Sequence, residues 1–183
     1  MARIRDRSRA DLAPEDQDLL KRDIALHRAL TNNPGAARAF SGLGQYIRHH
    51  SALDPRLREL AILQVGWVAR SPYEWSHHIR IGHDFGVTED DIRALIAESA
   101  GETTALEPLA RLVLRAAREA AAGPGIAADT YAALAAALDE PRMVDLVVTI
   151  AFYCGVVRLL ASFAIEVEPD YQPYLDRFPL PLE

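Results

Sequence analysis

A chain of 183 residues, half of them hydrophobic and a quarter charged, is the size of one ordinary globular domain. Such a domain buries about 70% of the surface its unfolded chain exposes, so it needs neither disulfides nor metal to fold. The 26 acids against 20 bases give a net charge of −6, which argues against nucleic-acid and anionic-membrane partners. The single cysteine, Cys154, excludes an intrachain disulfide framework, a Cys-x-x-Cys redox pair and a cysteine-based zinc site.

The N-terminal stretch to Asp16 alternates Arg3, Arg5, Arg7 and Arg9 with acids and has no apolar segment of signal-peptide length, so a cytoplasmic location is expected. From there the usage is helical, with 31 alanines and no sustained period-2 alternation. Pro14 opens a first predicted helix, about 14–31, that stops at Asn32-Asn33. Pro34 opens a second, about 34–49. Asp54-Pro55, an N-cap followed by proline at the first helical position, opens a third that runs to Arg70. Ser71-Pro72-Tyr73-Glu74 repeats the device with a capping-box glutamate and opens a fourth, closed by Gly86. Thr88-Glu89-Asp90-Asp91 caps a fifth, and helices over about 105–122, 127–138 and 140–166 follow. The fold class is therefore all-α, a bundle of about eight helices. The apolar run Leu146–Val157 would span about 18 Å as a helix, short of the roughly 30 Å of bilayer hydrocarbon, and reads as a buried core helix. The tail over 169–183, with four prolines, is expected to be extended against a surface or a partner chain.

The third and fourth helices carry the chemistry. Apolar side chains surround the third almost completely, as in a central buried helix, yet Glu59 sits among them. A carboxylate there must be partnered or protonated, because its desolvation is expensive. On the fourth helix, Glu74 and His78 fall inside the apolar arc, four residues apart and so on one face. His77, Arg80 and His83 fall on the polar arc, which with Arg56 and Arg58 reads as solvated or interface surface. Each inward group has a bland reading: Glu74 as a capping-box residue, His78 as a core histidine, Glu59 as a structural ion pair with Arg58, Arg80 or an arginine of another chain. Together they form a candidate proton-transfer constellation. With no HExxH and no second inward histidine, no metal is expected, and no phosphate loop, dinucleotide fingerprint or nucleophile elbow is present. Cys154 lies in an apolar helix and reads as core filler.

Three segments carry a resemblance: Leu57-Arg58-Glu59-Leu60-Ala61-Ile62-Leu63, Tyr73-Glu74-Trp75-Ser76-His77-His78 and Gly86-Val87-Thr88-Glu89-Asp90-Asp91-Ile92. They resemble the carboxymuconolactone decarboxylase family, which includes the AhpD-like alkylhydroperoxidases. The likeness is densest over about 50–100 of a single 1–183 domain, with a helical extension over 1–49 and a weaker likeness through Asp145 to Glu168, an apolar helix ending in the acidic turn Phe163–Glu168. It implies an AhpD-like helical bundle that self-associates as a trimer or hexamer, with cofactor-free sites near subunit interfaces. The peroxidase branch carries a glutamate, a Cys-x-x-Cys and a histidine. Here those positions are Glu59, then Ser71 and Glu74 in place of the cysteines, then His78. Serine and glutamate form neither a sulfenic acid nor a disulfide, so peroxiredoxin activity is a family-level association only.

The Glu-x-x-x-His unit instead resembles the decarboxylase branch of aromatic-compound catabolism. That branch implies a lyase acting on a small carboxylated lactone, with Glu59, Glu74 and His78 catalytic and Ser71, Tyr73 and Arg80 binding the substrate. The alternatives are alkylhydroperoxidase chemistry through Cys154, or a non-catalytic ligand-binding oligomer. The expected partners are thus a small molecule and further copies of the chain, with no nucleic acid and no membrane.

Overall fold

The computed structural model describes residues 2–181; Met1, Leu182 and Glu183, which end the expected domain and tail, lie outside the described residues. Among the described residues every regular element is helical. The first segment departs from the single helix expected over 14–31. Pro14–Leu20 winds as a 3₁₀ helix, the backbone extends at Ile24, and α1 (Ala25–Leu30) follows. That break turns Ile24 and Leu26 inward and leaves Arg22 beside the same cavity.

The next helices begin where sequence punctuation places them. They are α2 (Pro34–His49), α3 (Pro55–Val68), α4 (Pro72–Asp84) and α5 (Glu89–Ser99). Asn33 accepts from the Ala36 amide at 3.1 Å and Asp54 from the Leu57 amide at 3.0 Å, each satisfying an otherwise orphaned donor. Thr88 and Asp91 form a reciprocal capping box. The box expected at Ser71 and Glu74 does not form: Ser71 makes no side-chain cap bond, and Glu74 turns into the protein. The chain continues through α6 (Pro108–Ala122), α7 (Ala128–Ala135) and α8 (Glu140–Phe163).

Helix α3 is the axis of the molecule. Leu57 through Gly66 are all buried, and α4, α6 and α8 pack around it. Gly66 allows α4 to come close: a Cβ there would sit 3.3 Å from the Trp75 amide nitrogen and 3.6 Å from Glu74 Cβ. Glycine at this position therefore fixes how near Glu74 lies to α3.

Helix α8 differs from the fully buried helix expected. At 24 residues it is long and apolar enough to cross a membrane by length and composition alone. Here one side, including Leu146, Ile150 and Tyr153, packs into the core, while Val144 is 59% exposed and Val147 is partly exposed on the other. The apolar run is two-faced because the other helices cover only one side of it.

The tail is also not extended. Pro169–Tyr171 forms a 3₁₀ turn and α9 (Gln172–Arg177) follows, both packed on α4. Two of its four prolines, Pro169 and Pro173, sit in first turns, where a missing N–H breaks no helical bond, while Pro179 and Pro181 follow the last helix. Phe178 is buried, and its carbonyl accepts from the Trp75 indole at 2.8 Å.

Candidate active site

The structure brings Glu59, Glu74 and His78 together. They are 1%, 2% and 5% exposed, so none of the three is a solvated surface charge. His78 Nδ1 lies 2.7 Å from Glu59 Oε2, and because a carboxylate only accepts, the ring donates that proton. The other ring nitrogen, Nε2, lies 3.0 Å from Glu74 Oε1. That second contact is an ion pair off the hydrogen-bonding direction, and it leaves Glu74 Oε1 buried with no hydrogen bond. Behind His78, Arg58 Nε donates to Glu59 Oε1 at 3.1 Å, and its guanidinium stacks 4.4 Å from the Phe85 ring centre. Arg58, expected on a solvated face, is fully buried as the counter-ion of the cluster.

Burial alone would strip the proton from His78, but the charges of Glu74 and Glu59 and the bond to Glu59 outweigh it and raise its pKa above 6.5. For Glu59 burial opposes ionisation, and the charge and hydrogen bond of His78, followed by Arg58, hold its pKa below the usual carboxylate range. The stable arrangement is an imidazolium between two carboxylates, balanced by a buried arginine. Tyr153 meets the His78 ring edge-on, with centres 5.0 Å apart. Burial, then the two carboxylates, push its hydroxyl well above the usual tyrosine value, so it remains a neutral wall.

His78 and Glu74 line a cavity of about 90 Å³, several water volumes and room for one small ring. Phe40, Phe152 and Tyr153 give it aromatic walls, and Arg22 and Arg48 supply its cations. Of the residues expected to bind substrate, Tyr73 lines this cavity. Ser71 caps α4 away from it. Arg80 does not reach it: the side chain is half exposed and pairs with Asp84 one helical turn on, at 2.7 Å. Among the described residues, no group of three or more His, Cys, Asp or Glu is disposed to hold a metal ion. Cys154 is half buried beside Ala120 and Arg158, outside the cavity, and burial raises its thiol pKa.

A second polar cluster adjoins the first. His77, expected on a solvated face, is buried between Tyr73 and Tyr171, with ring centres 4.0 and 3.5 Å away. Its Nε2 donates to Glu168 Oε2 at 2.8 Å. Glu168 also accepts from the Ala25 amide at 2.8 Å and the Tyr73 hydroxyl at 3.2 Å. The carboxylate thus ties together α1, α4 and the C-terminal segment. Only its place in the acidic turn before Pro169 marked Glu168 in sequence; its partners are distant in the chain.

Burial lowers the His77 pKa in spite of Glu168, so the ring is a neutral donor at pH 7. Burial works against ionisation of Glu168 as well. The bonds from His77 and the Ala25 amide more than offset it, bringing Glu168 to about 2 from the usual 4.5. The stability this provides is complete above about 4.5 and is lost as pH falls through about 2. Glu168→Gln is expected to destabilise the protein by on the order of 2 kcal/mol at neutral pH and to flatten its acid limb. Urea unfolding of both proteins from pH 7 to 2 checks this; parallel acid limbs would refute it.

The carboxymuconolactone decarboxylase family profile matches residues 34–119, which contain α2 to α5, most of α6 and all of Glu59, Glu74 and His78. Solved AhpD-like proteins share the whole arrangement of helices. One is an alkylhydroperoxidase AhpD-core, peroxidase-related protein of Ralstonia eutropha JMP134, with a TM-score of 0.78 at 15% identity over 95% of each chain. Over residues 34–119 the chain matches the carboxymuconolactone decarboxylase family, and its fold is AhpD-like.

A second structure, ATU0492 of Agrobacterium tumefaciens, a protein of unknown function suggested to be an AhpD antioxidant-defence protein, superposes with a TM-score of 0.66 at 18% identity, over 75% of this chain and 94% of its own. A third is the debrominase Bmp8, solved as a cysteine-to-alanine variant with 2,3,4-tribromopyrrole. Its TM-score is 0.81 at 18% identity, over 97% of both chains. No curated protein matches the chain. The segment before residue 34 lies outside the family match, and it supplies Arg22, Ile24, Leu26 and His27 to the cavity.

Proposed function

We propose that this protein is a cofactor-free acid–base enzyme that acts on a small ring compound, with decarboxylation of a carboxylated lactone as its reaction. The observation that carries the reading is a buried imidazole whose Nδ1–H is fixed by Glu59 while Nε2, beside Glu74, serves a ring-sized cavity. In the reaction the bond from ring carbon to carboxylate breaks. CO2 leaves, and the electron pair stays on carbon, delocalised toward the lactone carbonyl as a dienolate. His78 delivers its Nε2 proton to carbon and regains one from solvent, with Glu59 holding the ring in orientation. The cationic wall and the imidazolium stabilise the developing negative charge. Bmp8, solved with a planar five-membered ring, supports a ring of that size.

A thiol peroxidase reading is disfavoured because the one cysteine lies outside the cavity with its pKa raised. The exposed apolar residues Val144 and Val147 of α8 and Leu43 and Tyr46 of α2 support self-association of what we take to be a cytoplasmic enzyme. The test is CO2 release and solvent-deuterium incorporation with 4-carboxymuconolactone. Turnover by wild type that persists in Cys154→Ala supports the proposal. No product from wild type, or loss of turnover with Cys154→Ala, overturns it.

A further inference from the structure

Around the cavity, opposing charges do not cancel. Its titratable lining comprises Arg22, Arg48, His27, His77, His78 and Glu74. The buried Glu59 behind His78 is already answered by Arg58 at 3.0 Å. Among the described residues, neither Arg22 nor Arg48 has a carboxylate within ion-pair distance, whereas Arg28, Arg38, Arg56, Arg93 and Arg115 each have at least one. An acidic protein has therefore placed two guanidiniums without a carboxylate partner, Arg48 bonded to the neutral Tyr153 hydroxyl, on one small cavity whose only lining carboxylate is paired with His78. The fields of Arg22, Arg48 and His77 also reach His27 and, after burial, add to keep it neutral. On the remaining polar wall, Glu74 Oε1 is fully buried and accepts no hydrogen bond. A buried acceptor left in that state is costly and is satisfied when a donor arrives.

We propose that Arg22 and Arg48 hold the carboxylate of the ligand while Glu74 Oε1 accepts an N–H or O–H wherever the ring offers one, so the site takes small ring carboxylates and holds those with a hydrogen-bond donor most tightly. The inference rests on the acid–base reading of the same cavity but adds positioning residues to it, one of them from the segment before the family match. Arginine suits the task because its planar fork pairs with both carboxylate oxygens. Phe40 and Phe152 give the ring flat apolar contacts. The two polar demands fix the ring's orientation, which a carboxylate alone would leave free to rotate.

Pyrrole-2-carboxylate carries both groups on one small ring and is the probe, with its methyl ester and N-methylpyrrole-2-carboxylate as controls. Calorimetric titration of the wild-type protein should show saturable binding of pyrrole-2-carboxylate at millimolar concentrations. Binding of the ester and of the N-methyl compound should be weaker by at least about tenfold each. Arg22→Gln and Arg48→Gln should each weaken the carboxylate by about tenfold or more while leaving the weak ester binding unchanged. Glu74→Gln should narrow the gap between the probe and its N-methyl analogue. Circular dichroism and thermal unfolding identify any variant that fails to fold, and for such a variant Arg→Lys replaces Arg→Gln. Equal binding of acid and ester, insensitivity to both arginine substitutions, or no saturable binding of pyrrole-2-carboxylate each overturns the proposal. His78→Gln should still bind the probe. Probe binding by a wild-type protein that releases no CO2 from 4-carboxymuconolactone would refute the catalytic reading and leave the carboxylate site standing.

Discussion

Glu59→Gln is expected to lower the unfolding free energy by about 3–5 kcal/mol. The amide keeps the shape of the side chain but removes the one charge shared by two buried cations. Arg58 would be left with only the Arg48 carbonyl, at 3.2 Å, and the Phe85 ring face. His78 would keep only Glu74 as a carboxylate neighbour and would bind its proton less tightly. Linkage gives the sign. The raised pKa of His78 contributes stability that is fully present below pH 6.5 and is lost as pH rises through the raised value. In Glu59→Gln that loss should move to lower pH. Urea unfolding between pH 5 and 9 measures both effects, and Arg58→Met added to Glu59→Gln should recover part of the stability because no cation is then stranded. A change within about 0.5 kcal/mol for the single variant would mean that the cluster is not coupled to folding. Dissociation in sedimentation at unchanged monomer stability would place the role of Glu59 at a subunit contact instead.

Local signals made much of the fold legible. Pro34, Pro55 and Pro72 at first turns and the caps Asn33, Asp54 and Thr88 mark α2 to α5 because the chemistry of a helix start involves residues three or four apart. The apolar surround of α3 likewise marks a central helix, and an α-helical wheel places Glu74 and His78 on one face. What a wheel leaves out is the covering of its other face. His77 reads as polar surface, yet it is buried, since α1 and the C-terminal segment lie over that side of α4. Arg58 was misplaced for a related reason: an arginine inside a core is expensive until a carboxylate meets it, and only the tertiary structure shows that it is paired with the inward Glu59.

The same limit explains the cations of the site. Arg80 was attractive because it shares a helix with His78, but its nearest acid is Asp84, one turn along in the solvent. Arg22 and Arg48 reach the cavity through the break at Ile24 and the packing of α2, and nothing within a few residues of either signals this. Glu74 shows the opposite error. Its spacing from Ser71 satisfies a capping rule, yet the close approach that Gly66 permits carries it inward instead.

His78→Gln is expected to reduce kcat/KM by about 10²- to 10⁴-fold, the usual contribution of a positioned general acid. Glutamine can still donate to Glu59 but carries no transferable proton, so the loss falls on the chemical step and kcat drops with little change in KM. The pH profile distinguishes this role from a structural one. As a general acid, His78 must be protonated, so the rate of the wild-type enzyme is level at low pH and declines as pH rises through the raised His78 pKa, above 6.5. The two carboxylates set how far above. Glu74, first among the groups that favour the proton, can be neutralised without touching the Glu59 bond. Glu74→Gln should therefore retain activity at acid pH and shift the falling limb toward lower pH. An NMR titration of the His78 ring in the same variant should move in the same direction, a readout that needs no substrate. If the limb stays fixed while the ring titration moves, His78 is not the group whose proton the reaction uses, and the buried imidazolium serves only to hold α3 and α4 together.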